Sequence, residues 1–124
     1  MESRWLPALQ MRTVGEGSHR TTWRVDKASP WFEGHFPSKP ILPGLGLLAL
    51  VLHGARTGLQ RDGLRLARVI KTRFKGVILP GDELDFSLDT SPLDPGEVEV
   101  QVRFQVERNG DEVCAGRLVV TDGE

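Results

Sequence analysis

One histidine, three prolines and two glycines stand within the eleven residues Gly34-His35-Phe36-Pro37-Ser38-Lys39-Pro40-Ile41-Leu42-Pro43-Gly44, which run directly into the most apolar stretch of the chain. Prolines fix φ and prevent regular pairing, so this loop is held in one shape. It leads into a helix start, where the first amide N–H groups have no intrahelical partner and the positive end of the helix dipole points outward. Gly44 carries no side chain, so a substrate oxygen can approach that backbone closely. Fixed donors aimed at a carbonyl that gains negative charge make an oxyanion hole. His35, beside them, has a side chain that takes up a proton near neutral pH. Spacing alone also admits a purely structural reading, a histidine satisfied inside a proline-rich loop. Glu33 falls on the same side as His35 by alternation, and as a carboxylate it is expected in solvent.

The helix that presents Gly44 is predicted to start near Pro43-Gly44 and run through Leu45, Leu47, Leu48, Ala49, Leu50, Val51, Leu52 and His53 to about Thr57, with Gly58 as its stop. It is apolar on every side up to His53, so it is expected to be wrapped by protein. Strand signals dominate elsewhere. Val98, Val100, Val102, Phe104 and Val106 alternate with polar residues, a long half-buried strand. Asn109-Gly110 then supplies the pair preferred in a type I′ hairpin turn, and the return strand runs from about Val113 to Val120. Further strands are read at Leu84 to Leu88, at Leu66 to Lys75 with Lys71, Arg73 and Lys75 on one face by parity, and at Thr21 to Val25. The expected fold class is α+β, an antiparallel sheet of about five or six strands curled around one helix. Such a small sheet leaves an edge that a second copy can cover.

Charge is uneven. Seven basic residues and one acid lie between Arg56 and Lys75, and seven acids with no base lie between Asp82 and Glu99. Either these are two solvated faces that complement each other across a sheet, or the basic stretch meets an acidic partner. The chain of 124 residues has a net charge of −1, which argues against a general nucleic-acid binder. One cysteine, Cys114, excludes an internal disulfide and a multi-cysteine metal site, and a lone strand cysteine is expected to be buried filler. Three scattered histidines offer no metal-ligand spacing, and no glycine-rich phosphate loop precedes a helix, so no metal and no nucleotide cofactor is expected. His19 sits in a probable hairpin without an evident partner. The apolar stretch from Ile41 to Leu52 is too short to span a bilayer, and Met1 to Pro7 lacks a signal-peptide core, so the expected compartment is the cytoplasm.

The order His-Phe-Pro-x-x-Pro-x-x-Pro-Gly, read at His35 to Gly44, resembles the active-site loop of the β-hydroxyacyl-acyl-carrier-protein dehydratases of fatty-acid synthesis. Downstream, Arg73-Phe74-Lys75-Gly76-Val77-Ile78-Leu79-Pro80-Gly81-Asp82 is similar to the family's Arg-Phe-x-x-x-x-x-Pro-Gly-Asp segment. The likeness covers the chain from about Val14 to Val120. It implies one hot-dog domain over residues 1–124, a long central helix in a curved sheet, and at least a homodimer with two active sites at the subunit interface. It gives His35 the role of base for the α-proton of a 3-hydroxyacyl thioester, and gives the Gly44 amide the role of donor to the thioester carbonyl. The family's helix acid stands 14 positions after the histidine, and here that position is Ala49, which can neither give nor take a proton. The glutamine found four residues further on in many members is His53 here.

His53 lies one helical turn from Ala49 on the same face, and helical side chains lean N-terminally, so its ring can take over proton donation to the leaving hydroxyl. The alternative is a histidine filling a buried polar gap. An apolar tunnel lined by Phe36, Pro43, Leu48, Ala49 and Leu52 is expected for the acyl chain. The phosphopantetheine arm enters as part of the substrate, and no other cofactor is implied. Acyl carrier protein is acidic, so Arg68, Lys71, Arg73 and Lys75 are its expected docking surface, with Arg65 in the same cluster. Two other functions are open: Ala49 favours a non-catalytic subunit that binds acyl carrier protein or pairs with an active homologue in a heteromer, and an acyl thioesterase ranks third, because that chemistry usually needs a carboxylate or polarised water at the helix and the sequence shows none.

Overall fold

The computed structural model describes residue 7, residues 9–26 and residues 44–123. The elements, in chain order, are β1 (Arg12–Gly15), β2 (Ser18–Arg24), α1 (Gly44–Leu59), β3 (Arg65–Phe74), β4 (Glu83–Pro92), β5 (Glu99–Arg108) and β6 (Asp111–Thr121). All strand pairs are antiparallel, in the order β1-β2-β4-β5-β6-β3. Among the described residues this is the expected α+β arrangement, one helix with an antiparallel sheet, here of six strands.

Period-two patterning sets the inner face. Val100, Val102, Phe104 and Val106 of β5 are buried, as are Leu84, Phe86 and Leu88 of β4. Register turns them into layers across the sheet: Leu88 faces Phe104, Phe86 faces Val106, and Val106 faces Cys114. Onto these layers α1 lays Leu47, Leu50, Val51 and Ala55, the i, i+3, i+4, i+8 stripe of one helix face. Asn109 and Gly110 both take positive φ, 54° and 84°, as the type I′ turn requires. Cys114 is fully buried, and burial pushes its thiol up to about 11, which leaves it without nucleophilic character at neutral pH.

Three expectations are corrected. First, Gly58 does not stop the helix. Gln60 takes the left-handed conformation (φ 56°), and the amides of Gln60 and Arg61 return to the carbonyls of Thr57 and Arg56, a Schellman cap without glycine. Gly58 is instead a close-approach position, since a Cβ there would lie 2.9 Å from the ring of His19. Second, α1 is not wrapped all round in a single copy: Leu48, Ala49, Leu52 and His53 remain half-buried on the face away from the sheet. Third, the basic and acidic runs are not neighbouring strands: β5 and β6 stand between β3 and β4, and the runs meet at their ends, where Arg68 lies 3.4 Å from Glu99. The acids of β4 bond to β2 instead, with Glu83 to Arg24 at 3.2 Å and Asp85 to the Thr22 hydroxyl at 2.7 Å.

His19 now has surroundings. Its Nδ1 lies 3.1 Å from the Thr13 hydroxyl of β1, its ring meets Gly58 of α1, and Leu88 faces it across β4. Burial holds the imidazole below its ordinary value of 6.5, while the Asp89 charge on β4 opposes that shift. The folded state therefore favours the neutral ring, and the unfolded chain binds the proton first as pH falls. This contribution to stability is complete above the ordinary value and is lost as pH drops through the depressed one. Tm is expected to fall from neutral to mildly acidic pH, and His19→Gln is expected to flatten that part of the profile. An unchanged slope in the variant would assign the acid limb to other groups.

Candidate functional site

The site is read from the N-terminus of α1 downward. Gly44 opens the helix, and its N–H is the first of the amides that point out of the N-terminal end without an intrahelical acceptor. Phe74, from the end of β3, lies against the Gly44 Cα: a Cβ there would come within 3.0 Å of its ring. Phe74 of the downstream motif thus packs against Gly44, the last residue of the upstream motif. His35, Phe36 and Pro43 lie outside the described residues, as does Glu33.

Leu48, Ala49, Leu52 and His53 share the half-buried face of α1, as helical spacing predicts. Leu48 and Leu52 pack at the edge of the core and present the rest of their surface outward. The His53 Nε2 lies 2.8 Å from the Pro7 carbonyl oxygen, so that nitrogen carries the proton and donates it to a backbone acceptor. Only Nδ1 is left for another partner. Pro7 is a contact that the sequence reading missed, and a separation of 46 residues gives no local signal for it.

β3 runs along the open side of the sheet and all but one of its residues are exposed. Its pairing with β6 shifts twice, between Leu66 and Arg68 and between Val69 and Lys71. The two bulges reset the alternation. Leu66, Val69 and Phe74 pair with Val120, Leu118 and Cys114 on the helix side, whereas Arg65, Arg68, Lys71 and Arg73 all reach the outer face. Of the expected docking cations, Arg68 lies 3.4 Å from Glu99, Arg73 3.6 Å from Glu112, and Lys75 3.1 Å from the same Glu112. The hydrogen bond from Lys75, with the Arg73 charge behind it, holds the Glu112 carboxyl below its ordinary range. Lys71 has no ion pair among the described residues. Among those residues no group of His, Cys, Asp and Glu is placed to hold a metal ion, and no helix is long and apolar enough to cross a membrane.

Comparison with known proteins places this geometry. The ApeI-like family, described as ApeI dehydratase, matches residues 11–117. A 3-hydroxyacyl-[acyl-carrier-protein] dehydratase FabZ of Actinobacillus pleuropneumoniae is 33% identical over 98 residues, covering 71% of this chain and 54% of that protein. The FabZ of Actinobacillus succinogenes is 30% identical over 128 residues, covering 95% of this chain and 73% of its own length. The chain spans about half the length of the first of these relatives. Among solved structures, the dehydratase heterocomplex ApeI:P from Xenorhabdus doucetiae superposes with a TM-score of 0.72 at 22% identity, over 93% of this chain and 97% of that one. The fold is the hot-dog fold.

Proposed function

From the premise that the chain belongs to the ApeI-like dehydratase family, we propose that it acts in the dehydration of 3-hydroxyacyl thioesters carried on acyl carrier protein. The observation that carries this reading is the join between the His35 to Gly44 motif and the start of α1, whose half-open face bears Leu48 and Leu52. His35 takes the α-proton. The electron pair moves toward the thioester carbonyl, whose oxygen gains charge against the Gly44 N–H. The pair then returns to form the α,β double bond as the C3–O bond breaks, and hydroxide leaves with a proton as water. Phe36, Pro43, Leu48, Ala49 and Leu52 line the acyl site, with the phosphopantetheine arm arriving on the substrate. The leaving-group proton is the weak point, since Ala49 stands where the family's acid does. His53 is the polar side chain available on that face, and it can give a proton from Nε2 after releasing Pro7, or from Nδ1 when the ring carries both protons.

A second copy completes the site in this reading. β3 is a ten-residue edge strand whose Leu66, Val69, Ile70 and Phe74 are 41–50% exposed, and it adjoins the half-open face of α1. An uncovered apolar edge of this length is a pairing surface. Ala49 also favours a specific alternative, a subunit that pairs with an acid-bearing homologue; the similar ApeI:P structure is itself named a dehydratase heterocomplex.

The test is an assay of the purified chain on 3-hydroxyacyl and 2-enoyl thioesters, alone and mixed with an acid-bearing family member. Dehydration or hydration by the chain alone supports the enzyme. Silence alone, with activity and a co-eluting complex on mixing, supports the heteromeric subunit. Free thiol would identify a thioesterase and overturn both.

A further inference from the structure

We infer that the docking surface for acyl carrier protein is the outer-face row Arg103–Arg117–Lys71, which keeps Lys71 of the expected set and replaces Arg68, Arg73 and Lys75 with Arg103 and Arg117. The inference rests on the carrier-protein reading above. Register places Arg103 of β5 directly opposite Arg117 of β6, and Arg117 directly opposite Lys71 of β3. Like charges in directly opposite positions destabilise a sheet, so this row weakens the fold unless an anion meets it. One carboxylate, Asp89, stands in the row opposite Arg103; it forms no ion pair with it and accepts a hydrogen bond from the Ser18 hydroxyl at 2.7 Å, and a single acid does not balance three cations, while Glu112 is taken by Lys75 and Arg73. None of the three cations forms an ion pair among the described residues.

The row floors a groove of about 500 Å³ on the outer face, where the small side chain of Ala115 leaves room beside Arg117. Adjacent strands stand about 4.8 Å apart. Carboxylates one turn apart on an acidic helix are spaced about 5–6 Å. Three cations on three neighbouring strands therefore match a helix laid across the strands with its acidic face down. Arg68, Arg73 and Lys75, already held by Glu99 and Glu112, have less charge to offer and must break an ion pair to do so.

The experiment measures the Kd of holo-acyl carrier protein by fluorescence anisotropy at low and high salt, for the full chain and for Arg103→Glu/Arg117→Glu and Arg68→Glu/Arg73→Glu. The first double variant is expected to weaken low-salt binding by about tenfold or more and to flatten the salt dependence, with a much smaller loss in the second. Arg103→Gln/Arg117→Gln, checked for an unchanged Tm, should shift in the same direction by less. Equal Kd in the parent and the Arg103/Arg117 variants, or a larger loss in the Arg68/Arg73 pair, overturns the assignment and leaves the dehydratase reading standing. The same loss with coenzyme A in place of the carrier moves the contact to the arm's phosphate and overturns it too. A parent chain that binds no carrier protein at low salt defeats the carrier-protein reading itself, and this inference with it.

Discussion

Exchanging His35 for alanine is expected to lower the dehydration rate by about 10²–10⁴-fold, the usual contribution of a positioned base. The effect should lie in kcat, with KM little changed, because the proposed site holds the acyl chain through the apolar face of α1 and the thioester oxygen through the Gly44 amide. The loss is expected at the upper end of that span. The family resemblance implies two side chains that share the proton transfers; with Ala49 in place of the acid, His35 is the one imidazole or carboxyl group of the motif. Added imidazole should restore part of the rate in His35→Ala, since it supplies the missing base from solution. Steady-state rates on a 3-hydroxyacyl thioester with and without imidazole check this. A variant as fast as the parent removes the imidazole from the reaction.

What could be read from the sequence divides along a physical line. Local signals were enough for β5, where Val100, Val102, Phe104 and Val106 alternate without interruption, and for the hairpin at Asn109-Gly110, where both residues must take positive φ. Membership of the family was legible too, because a run of prolines and glycines around one histidine is a dense pattern. The parity of β3 was legible only in part. Lys71 and Arg73 do share the outer face, but Arg68 joins them through bulges that pairing with β6 imposes. The same holds for Gly58, which reads locally as a helix stop and is in fact the space for a histidine from β2. The row Arg103–Arg117–Lys71 is assembled from three strands and has no signature in any one of them. His35, Phe36 and Pro43 lie outside the described residues, so their roles rest on the motif.

Placing glutamate at position 49 is expected to raise the dehydration rate of the chain by about 10²–10⁴-fold, the contribution of a general acid. The fold should tolerate the change. Ala49 is half-buried on the face of α1 turned away from the sheet, so a longer side chain extends outward and not into the layer of Leu47, Leu50 and Val51. Glutamate is a good helix former and gives up only a few tenths of a kcal/mol against alanine. A carboxylic acid there supplies the proton that leaves with the hydroxyl, so the pH–rate profile of Ala49→Glu should gain a descending limb as the new group ionises. His53 can be weighed in the same experiment. If it carries the leaving-group proton in the parent, His53→Ala slows the parent yet costs little in Ala49→Glu, and the two substitutions are non-additive. If His53 serves only to hold the Pro7 carbonyl, His53→Ala lowers Tm equally in both backgrounds and leaves the rate ratio unchanged. An Ala49→Glu chain that stays silent by itself, while a mixture with an acid-bearing relative is active, would assign the alanine to a subunit that contributes its own His35 and Gly44 to a site whose acid comes from the other chain.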